Sequence, residues 1–207
     1  GQKDFPFISD SAFWSVSECS HPCYFTTSIY KFGDTVSIND TIYHELLNSG
    51  NQGQTWLKEF LIRKDSITSA IYCRSVWENR EKLLFNMDLL KGDTVVPYMS
   101  SMHKIVVKKV DSVLINGKYR RRLHLADTEN PNWYGEKWID GVGSTAGIVG
   151  VPYGALDFGI FLLCHHRNGR MDYQDPTWKT CDLVSVQEVE NQSIFKVFPN
   201  PSQNNIT

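Results

Sequence analysis

Two adjacent histidines, His165 and His166, are the first residues in this chain that suggest metal binding or proton transfer. They lie in an apolar run typical of a β-strand, where neighbouring side chains point to opposite faces of the sheet. The two rings therefore cannot both bind one ion. We expect one histidine in the core and the other at the surface, and we expect no metal or other cofactor.

Nucleophilic and acid–base catalysis lack a recognisable motif. The chain has no Gly-x-Ser-x-Gly sequence, and Cys73 has no identifiable catalytic partner. Glycosidases use a pair of carboxylates, but sequence alone does not select such a pair from 23 acidic residues. We therefore expect a protein without catalysis. A hydrolase with unidentified catalytic carboxylates is the alternative.

Glycine makes up three of the seven residues from Gly141 to Gly147. Such a run could cradle a phosphate or let two strands cross closely. A dinucleotide-binding loop requires a helix directly after it, and Gly150, Pro152 and Gly154 oppose one. The run therefore predicts a sharp strand-to-strand crossing under packed aromatic side chains.

Aromatic residues crowd the last third of the chain. Trp133, Tyr134, Trp138 and Trp178 lie beside polar residues, and aromatic rings on loops can stack on sugar rings. These four residues are the candidate ligand-binding residues. In the alternative interpretation, Trp138 packs beneath the glycine run and the others cover one end of the domain.

Short apolar runs separated by turn residues predict the fold. About a dozen strands with turns every 8–12 residues indicate an all-β domain, an antiparallel meander of hairpins that forms a barrel or a sandwich. Turns are predicted at Gly33-Asp34, Asn39-Asp40, Gly92-Asp93, Asn116-Gly117 and Asn168-Gly169.

Three stretches are more difficult to interpret. Residues Trp56–Leu61 could form one face of a short helix, but flanking apolar runs around Lys64-Asp65-Ser66 favour a hairpin. Broken alternation predicts a bulge near Asp111. The run Arg120–Arg122 should alternate between faces, and we expect these arginines to be mostly solvated.

Bulk composition excludes two classes of partner. The net charge of −2 argues against nucleic acid, and three arginines are too few to reverse that. The longest apolar run, Ile160–Cys164, is far shorter than the ~20 residues of a membrane span. No charged-then-apolar leader precedes Gly1, so we expect any signal peptide to have been removed.

Several segments resemble a group of secreted Bacteroidetes proteins of uncharacterised activity that end in a type IX secretion sorting domain. The segment Trp138–Ser144 is similar to their WIEGIGS segment, with Asp140 and Val142 as mild departures. Further similar segments are Gly33-Asp34-Thr35, Gly92-Asp93-Thr94, Val113–Gly117 and the tail Phe195–Pro201.

The resemblance implies a cellular location and no chemistry. It implies export by the type IX machinery to the extracellular space or outer cell surface. It also divides the chain into a domain at 1–185, a linker at 186–194 and the start of a truncated sorting domain at 195–207.

The export that the resemblance implies affects the five cysteines. Cys164 and Cys181 flank a hairpin-like segment, and an oxidising destination favours a disulfide between them. It would close a loop of about 18 residues and contribute ~3 kcal/mol. Cys19 and Cys23 could pair or be reduced; zinc is disfavoured because no second cysteine pair follows. Cys73 is expected to be a small buried side chain.

Asp-Ser/Thr-apolar triplets recur along the chain and resemble the O-glycosylation signal of exported Bacteroidetes proteins. Thr35 and Thr94 are the favoured sites because each follows a Gly-Asp pair. The alternative is that these triplets only open turns. Together these patterns predict an exported module that binds a glycan, another ligand or a surface partner.

Overall fold

The computed structural model describes residues 6–20, 24–78, 80–98, 104–129, 135–149 and 158–183. Within these ranges the chain forms thirteen strands and no helix. The strands are β1 (Ala12–Ser20), β2 (Tyr24–Ile38), β3 (Thr41–Ser49), β4 (Leu57–Lys64), β5 (Ala70–Ser75), β6 (Lys82–Asn86), β7 (Thr94–Val95), β8 (Ile105–Ile115), β9 (Lys118–Asp127), β10 (Lys137–Ile139), β11 (Gly143–Ser144), β12 (Phe158–Arg167) and β13 (Arg170–Gln174).

These strands form two curled antiparallel sheets, so the predicted all-β antiparallel fold is confirmed. The large sheet has the order β13-β12-β1-β2-β3-β4-β5-β6, and the small sheet has the order β11-β10-β9-β8-β7. Neighbours are mostly consecutive in sequence, as a meander requires. The exception is β12, which pairs with β1 and thereby returns the end of the domain to its beginning.

Tight turns close three hairpins where the sequence predicts them. Asn39-Asp40, Asn116-Gly117 and Asn168-Gly169 all have positive φ at both positions. Two successive positive φ angles match the right-handed twist of the flanking strands, and Asn, Asp and Gly tolerate them best. The local sequence therefore determines these turns.

The prediction of a turn at Gly33-Asp34 is wrong. Strand β2 continues through both residues, and its pairing with β3 shifts register between Phe32 and Thr35. The extra residues form an irregularity within the strand, where a Cβ on Gly33 would lie 2.9 Å from Leu47 Cδ1. Glycine is needed here because the neighbouring strand approaches closely, not because the chain reverses.

The second glycine–aspartate pair does form its predicted turn. Asp93 N donates to Leu90 O at 3.0 Å, and Asp93 Oδ2 accepts from Leu90 N at 2.8 Å. Glycine at 92 has a φ of +96°. Two pairs with the same sequence therefore adopt different structures.

The remaining local predictions are close to the structure. Residues 57–61 belong to strand β4, which pairs with β5, so the hairpin interpretation is confirmed. Strand β8 has a register shift between Val107 and Lys109, a few residues before the predicted position at Asp111.

One hydrophobic core lies between the two sheets. The large sheet contributes Trp14, Leu46 and Ile62, and the small sheet contributes Ile105 and Leu123, all fully buried. The described residues include no helix long and apolar enough to cross a bilayer. The linker and sorting segment predicted at 186–207 lie outside the described residues.

The glycine run crosses between β10 and β11 as expected. Gly141, Gly143 and Gly147 have positive φ angles of 73°, 97° and 89°. Trp14 Nε1 donates to Val142 O at 2.7 Å, which ties the turn to the large sheet. The run therefore packs the β10–β11 turn of the small sheet against the large sheet.

Candidate functional site

The predicted aromatic ligand-binding residues do not come together where the structure describes them. Trp138 is 1% exposed, in the core beneath the glycine run. Trp178 packs against Phe25 and Phe161, with ring centroids 5.2 and 5.9 Å away, on the outer face of the large sheet. Trp133 and Tyr134 lie outside the described residues. The large sheet therefore separates the two described tryptophans.

The cysteine predictions can be compared directly with the structure. Cys164 and Cys181 form a disulfide, with a Cα–Cα distance of 5.2 Å, so this prediction is confirmed. Cys19 is also disulfide-bonded, whereas Cys23 lies outside the described residues. Cys73 is free and buried as expected. Burial raises the pKa of its thiol, which keeps it protonated and unreactive.

The two histidines are on opposite faces of β12, as alternation predicts. His165 is fully buried and packs on Trp14, with ring centroids 4.9 Å apart. His166 is partly exposed and stacks on Phe13 at 4.5 Å. Burial, and then the nearby Arg167 and other cations, lower the pKa of His165 to about 3. The buried ring is therefore neutral at pH 7.

The prediction that Arg120–Arg122 are mostly solvated is wrong. Arg120 is 4% exposed, and its Nη2 lies 3.0 Å from Asp172 Oδ2. Arg122 forms a bidentate ion pair with Asp111: its Nε donates to Oδ1 at 2.7 Å and its Nη2 donates to Oδ2 at 2.9 Å. This pair lowers the pKa of the Asp111 carboxyl. Carboxylates on other strands therefore hold two of the arginines.

Arg120 belongs to a buried ion cluster with Arg167 and Asp172, and the neutral His165 lies next to it. Asp172 Oδ2 lies 3.4 Å from Arg167 Nη2 and 3.6 Å from His165 Nδ1. Arg167 Nη2 also donates to Gly141 O, and Asn116 Nδ2 donates to Asp172 Oδ1 at 2.7 Å. The cluster joins both sheets to the glycine run, and none of its charges is open to a ligand.

Glu136 is a second buried charged group. Trp138 Nε1 donates to its Oε1 at 2.7 Å, and Ser144 Oγ donates to the same oxygen. Burial raises the pKa of Glu136 to about 7, although these hydrogen bonds oppose the rise. The carboxyl is 9% exposed, so it supports the β10–β11 turn and does not face a ligand site.

A small cleft opens between the glycine turn and the edge of the large sheet. Phe7, Phe85 and Ile139 line it, with Lys64 and Asp140 among its polar groups. Its volume of about 30 Å³ holds roughly two water molecules. The cleft continues the apolar core to the surface beside the glycine turn.

A more accessible set of polar groups crosses the inward face of the large sheet near one end. We call Glu18, Tyr30, Asn48 and Glu59 the polar row, because they come from the neighbouring strands β1, β2, β3 and β4. Tyr30 pairs with Asn48 across β2 and β3, and Glu18 follows Val16 by alternation on the inward face. The sheet places the row just beyond the apolar core.

A β-bulge supplies the last member of the row. Leu46 pairs with Phe60 and Leu47 pairs with Lys58, so Glu59 is the extra residue in β4. Bulges re-aim a side chain that regular alternation would turn away. Asn48 Nδ2 donates to Tyr30 Oη at 2.9 Å and to Glu59 Oε1 at 3.3 Å. The amide thus links the phenol and the carboxylate.

Among the described residues, no cation is paired with either carboxylate of the row. Burial and then the charge of Glu59 raise the pKa of Glu18. Burial, followed by the charges of Glu59 and Glu18, raises the pKa of Tyr30. Within the described ranges, neither carboxylate forms an ion pair. In the described part of the chain, the row therefore joins two carboxylates without an ion pair to a protonated phenol.

Exposed apolar side chains border the polar row. Tyr24 and Leu57 lie on the same inward face and are 41% and 67% exposed. Trp77 follows β5 and is 89% exposed, and the adjacent Val76 N donates to Glu59 O at 3.0 Å. Trp77 is thus one residue from a backbone contact with β4. An exposed tryptophan can stack on a sugar ring, and carboxylates, an amide and a phenol can hydrogen-bond the ring's substituents.

Sequence reasoning missed this row. One signal was available in β1, where Trp14, Val16 and Glu18 occupy alternate positions and place an acid on an otherwise apolar face. The convergence with Glu59 depends on the order of four strands and on one bulge, which no local pattern reveals. Thr35 and Thr94, the predicted modification sites, are both exposed.

Comparisons with known proteins identify no relative: no family model matches the chain, and neither a curated protein nor a solved structure matches it.

Proposed function

We propose that this protein is an exported module that binds a glycan through the polar row and Trp77. The observation that carries the proposal is a row of partly buried hydrogen-bonding groups together with an 89% exposed tryptophan, whose neighbour Val76 bonds to the Glu59 backbone. Sugar rings present apolar faces and polar edges, so they match such a surface. The row's side chains are already held by the sheet and by the Asn48 hydrogen bonds, which lowers the entropic cost of binding.

Substitution of Trp77 tests the proposal. The Trp77→Ala variant should lose binding to every glycan that the intact protein retains in an array screen, with affinity reduced at least about tenfold. Tyr119→Ala is the matched control, because Tyr119 is 74% exposed but belongs to strand β9 of the small sheet. A Trp77→Ala variant with unchanged binding to all hits contradicts the proposed site.

The same screen distinguishes the polar row from the aromatic pair predicted from sequence. Trp133 and Tyr134 are replaced together by alanine, and binding is measured against the same hits. We expect Trp77→Ala, not this double variant, to lose affinity. Loss in the double variant alone assigns the ligand to Trp133 and Tyr134.

A hydrolase acting on an extracellular polymer is the second candidate function. One observation favours it. Glu18 and Glu59 belong to the same row, but Glu59 accepts a hydrogen bond from Asn48, whereas burial raises the pKa of Glu18. A glycosidase uses one protonated carboxylic acid and one carboxylate on either side of the scissile bond. Release of reducing ends from polymers that bind the protein, abolished in Glu18→Gln, supports this function. Binding without release supports the binding module.

Export through the type IX machinery is the proposed route to the outer surface. Disulfides at Cys164–Cys181 and at Cys19 support an oxidising destination. Fractionation of native cells should locate the full-length protein outside the cell. Retention of that protein in the periplasm, with its C-terminus intact, contradicts the route. Intact mass of the native protein tests modification at Thr35 and Thr94.

A further inference from the structure

We propose that two copies of this chain pair edge to edge along strand β8, so that their small sheets join into one continuous sheet. The proposal concerns assembly and does not depend on the proposed ligand. It begins from the length of β8, which spans Ile105–Ile115, whereas its outer neighbour β7 spans only Thr94–Val95. Val107 N donates to Asp93 O, and Val107 O accepts from Gly92 N, both at 2.9 Å. The cover that β7 and its turn give to β8 therefore ends at Val107.

The second half of β8 presents main-chain groups to its open side. On β9, main-chain groups of Arg121 and Leu125 bond to the residues that flank β10. Alternation then turns the even-numbered residues of β9 toward β8, where they pair with its odd-numbered residues after the bulge. Val110, Ser112 and Leu114 therefore direct their N–H and C=O groups away from β9. Among the described residues, no group bonds to them on that side.

Other outer strands of this fold have their edges covered. Asn116 Nδ2 donates to Met171 O at 3.3 Å, which occupies the edge of β13. Just past β11, Leu162 N donates to Thr145 O at 2.9 Å, so β12 continues the pairing there. Proteins commonly protect edges in this way, or with lysines, prolines and bulges. An edge without such protection is therefore a departure from the rest of the molecule.

The segment Val110–Leu114, which we call the open edge, is such a departure. It contains no proline, and its one charged residue, Asp111, is already held by Arg122. Leu114 is 57% exposed, and its cross-strand neighbour Tyr119 is 74% exposed on the same face. Exposed apolar side chains next to unpaired main-chain groups form the kind of surface that an added strand covers.

A second copy is the partner that this edge fits, because the open edge matches itself. In an antiparallel pair with Ser112 opposite Ser112 of the other copy, Val110 lies opposite Leu114 and Leu114 lies opposite Val110. The three residues with outward main-chain groups then meet only one another, and each such pair exchanges both of its hydrogen bonds. Apolar side chains face each other at both ends of the pair, which stabilises a sheet.

Other registers lose this match. A pair centred on Asp111 would place two aspartates directly opposite each other, and like charges in that position are destabilising. A pair centred on Val113 would place Val110 opposite Asn116, which has a φ of +49° and belongs to the turn after β8. The register centred on Ser112 is therefore the one to test.

A single cysteine tests both the edge and the register. Cα atoms of a hydrogen-bonded antiparallel pair are about 5.5 Å apart, and a disulfide spans about 4.4–6.8 Å. In a glutathione redox buffer, Ser112→Cys should therefore form covalent dimers on a non-reducing gel. Leu114→Cys is the matched control, because residue 114 lies opposite residue 110 and not opposite itself. It should stay largely monomeric on the same gel.

Association without a cross-link is measured by sedimentation equilibrium from micromolar to submillimolar protein. The wild-type protein should form a reversible dimer. Leu114→Lys places a charge at the edge and should raise the dissociation constant at least about tenfold. Ile42→Lys is its control, because Ile42 is 64% exposed but lies on β3 within the large sheet. That variant should dimerise like the wild type.

Several outcomes overturn the inference. A wild-type protein that stays monomeric over the whole concentration range refutes it. A dimer that Leu114→Lys leaves unchanged shows that the copies meet elsewhere and also refutes it. Equal cross-linking of the two cysteine variants contradicts the register. None of these results bears on the Trp77→Ala screen, because Trp77 follows a strand of the large sheet, so failure of the proposed function is seen separately.

Discussion

Asp172→Asn is expected to destabilise the protein strongly, because Asp172 is the carboxylate at the centre of the buried ion cluster. It is 6% exposed, and one of its oxygens lies 3.0 Å from Arg120 and 3.4 Å from Arg167. Asparagine keeps the size of the side chain but removes the negative charge that lies between two buried guanidinium groups. Breaking a buried pair in this way costs about 3–5 kcal/mol.

The expected loss is large enough to measure by thermal and urea unfolding. For a chain of this size, 1 kcal/mol shifts the midpoint by roughly 2–4 °C, so Asp172→Asn should lower Tm by about 6–20 °C. Asp182→Asn is the control, because Asp182 is exposed. Its effect should be within about 0.5 kcal/mol.

A second substitution separates charge from packing. Adding Arg167→Met to Asp172→Asn removes one uncompensated guanidinium and should recover part of the lost stability. A loss below about 1 kcal/mol for Asp172→Asn alone, or no recovery in the double variant, refutes the view that the carboxylate neutralises the cluster.

Three further predictions concern stability. Cys164→Ser/Cys181→Ser should lower the free energy of unfolding by ~3 kcal/mol, because the disulfide joins residues at a sequence separation of 17. Unchanged urea midpoints for oxidised and reduced wild-type protein would contradict this. The pKa of Glu136 in the folded protein is about 7, above the ordinary 4.5. Its contribution to the free energy of unfolding therefore falls as pH rises from about 4.5 through about 7. Glu136→Gln should therefore gain stability relative to wild type over that window, and parallel pH profiles refute the assignment. Gly147→Ala should destabilise the protein, because φ at this position is +89° and a Cβ would lie 2.9 Å from Val16 Cγ1. A thermal unfolding midpoint equal to that of the wild type would argue against this.

The sequence predicts features that depend on neighbouring residues. Asn39-Asp40, Asn116-Gly117 and Asn168-Gly169 close hairpins because each pair tolerates the backbone angles of a two-residue turn. Alternation likewise places His165 inside and His166 outside. In each case the preference is local, and the tertiary structure agrees with it.

Features that depend on distant residues were not predictable. Gly33-Asp34 has the composition of a turn, but the close approach of Leu47 on β3 makes it an irregularity within β2. Arg120 resembles a solvated residue until Asp172, on strand β13, is placed beside it. The polar row similarly requires β1 and β4 to be brought together by two intervening strands. A long-range partner decides each of these environments.

The pairing of β1 with β12 also governs when the domain can fold. The first strand lies between β2 and β12, so one of its two edges has no neighbour until the last part of the domain is present. Its apolar residues Trp14 and Val16 likewise gain their partners only when the glycine run is present. Trp14 donates to Val142 O, and Val16 packs against Gly147. A growing chain that has emerged only as far as β9 therefore has an incomplete core and an open sheet edge. Completion depends on contacts between the two ends of the sequence, which slows folding. The core and the free edge of β1 are therefore completed only after the final hairpin has been released, so a chain that is handled earlier lacks these contacts.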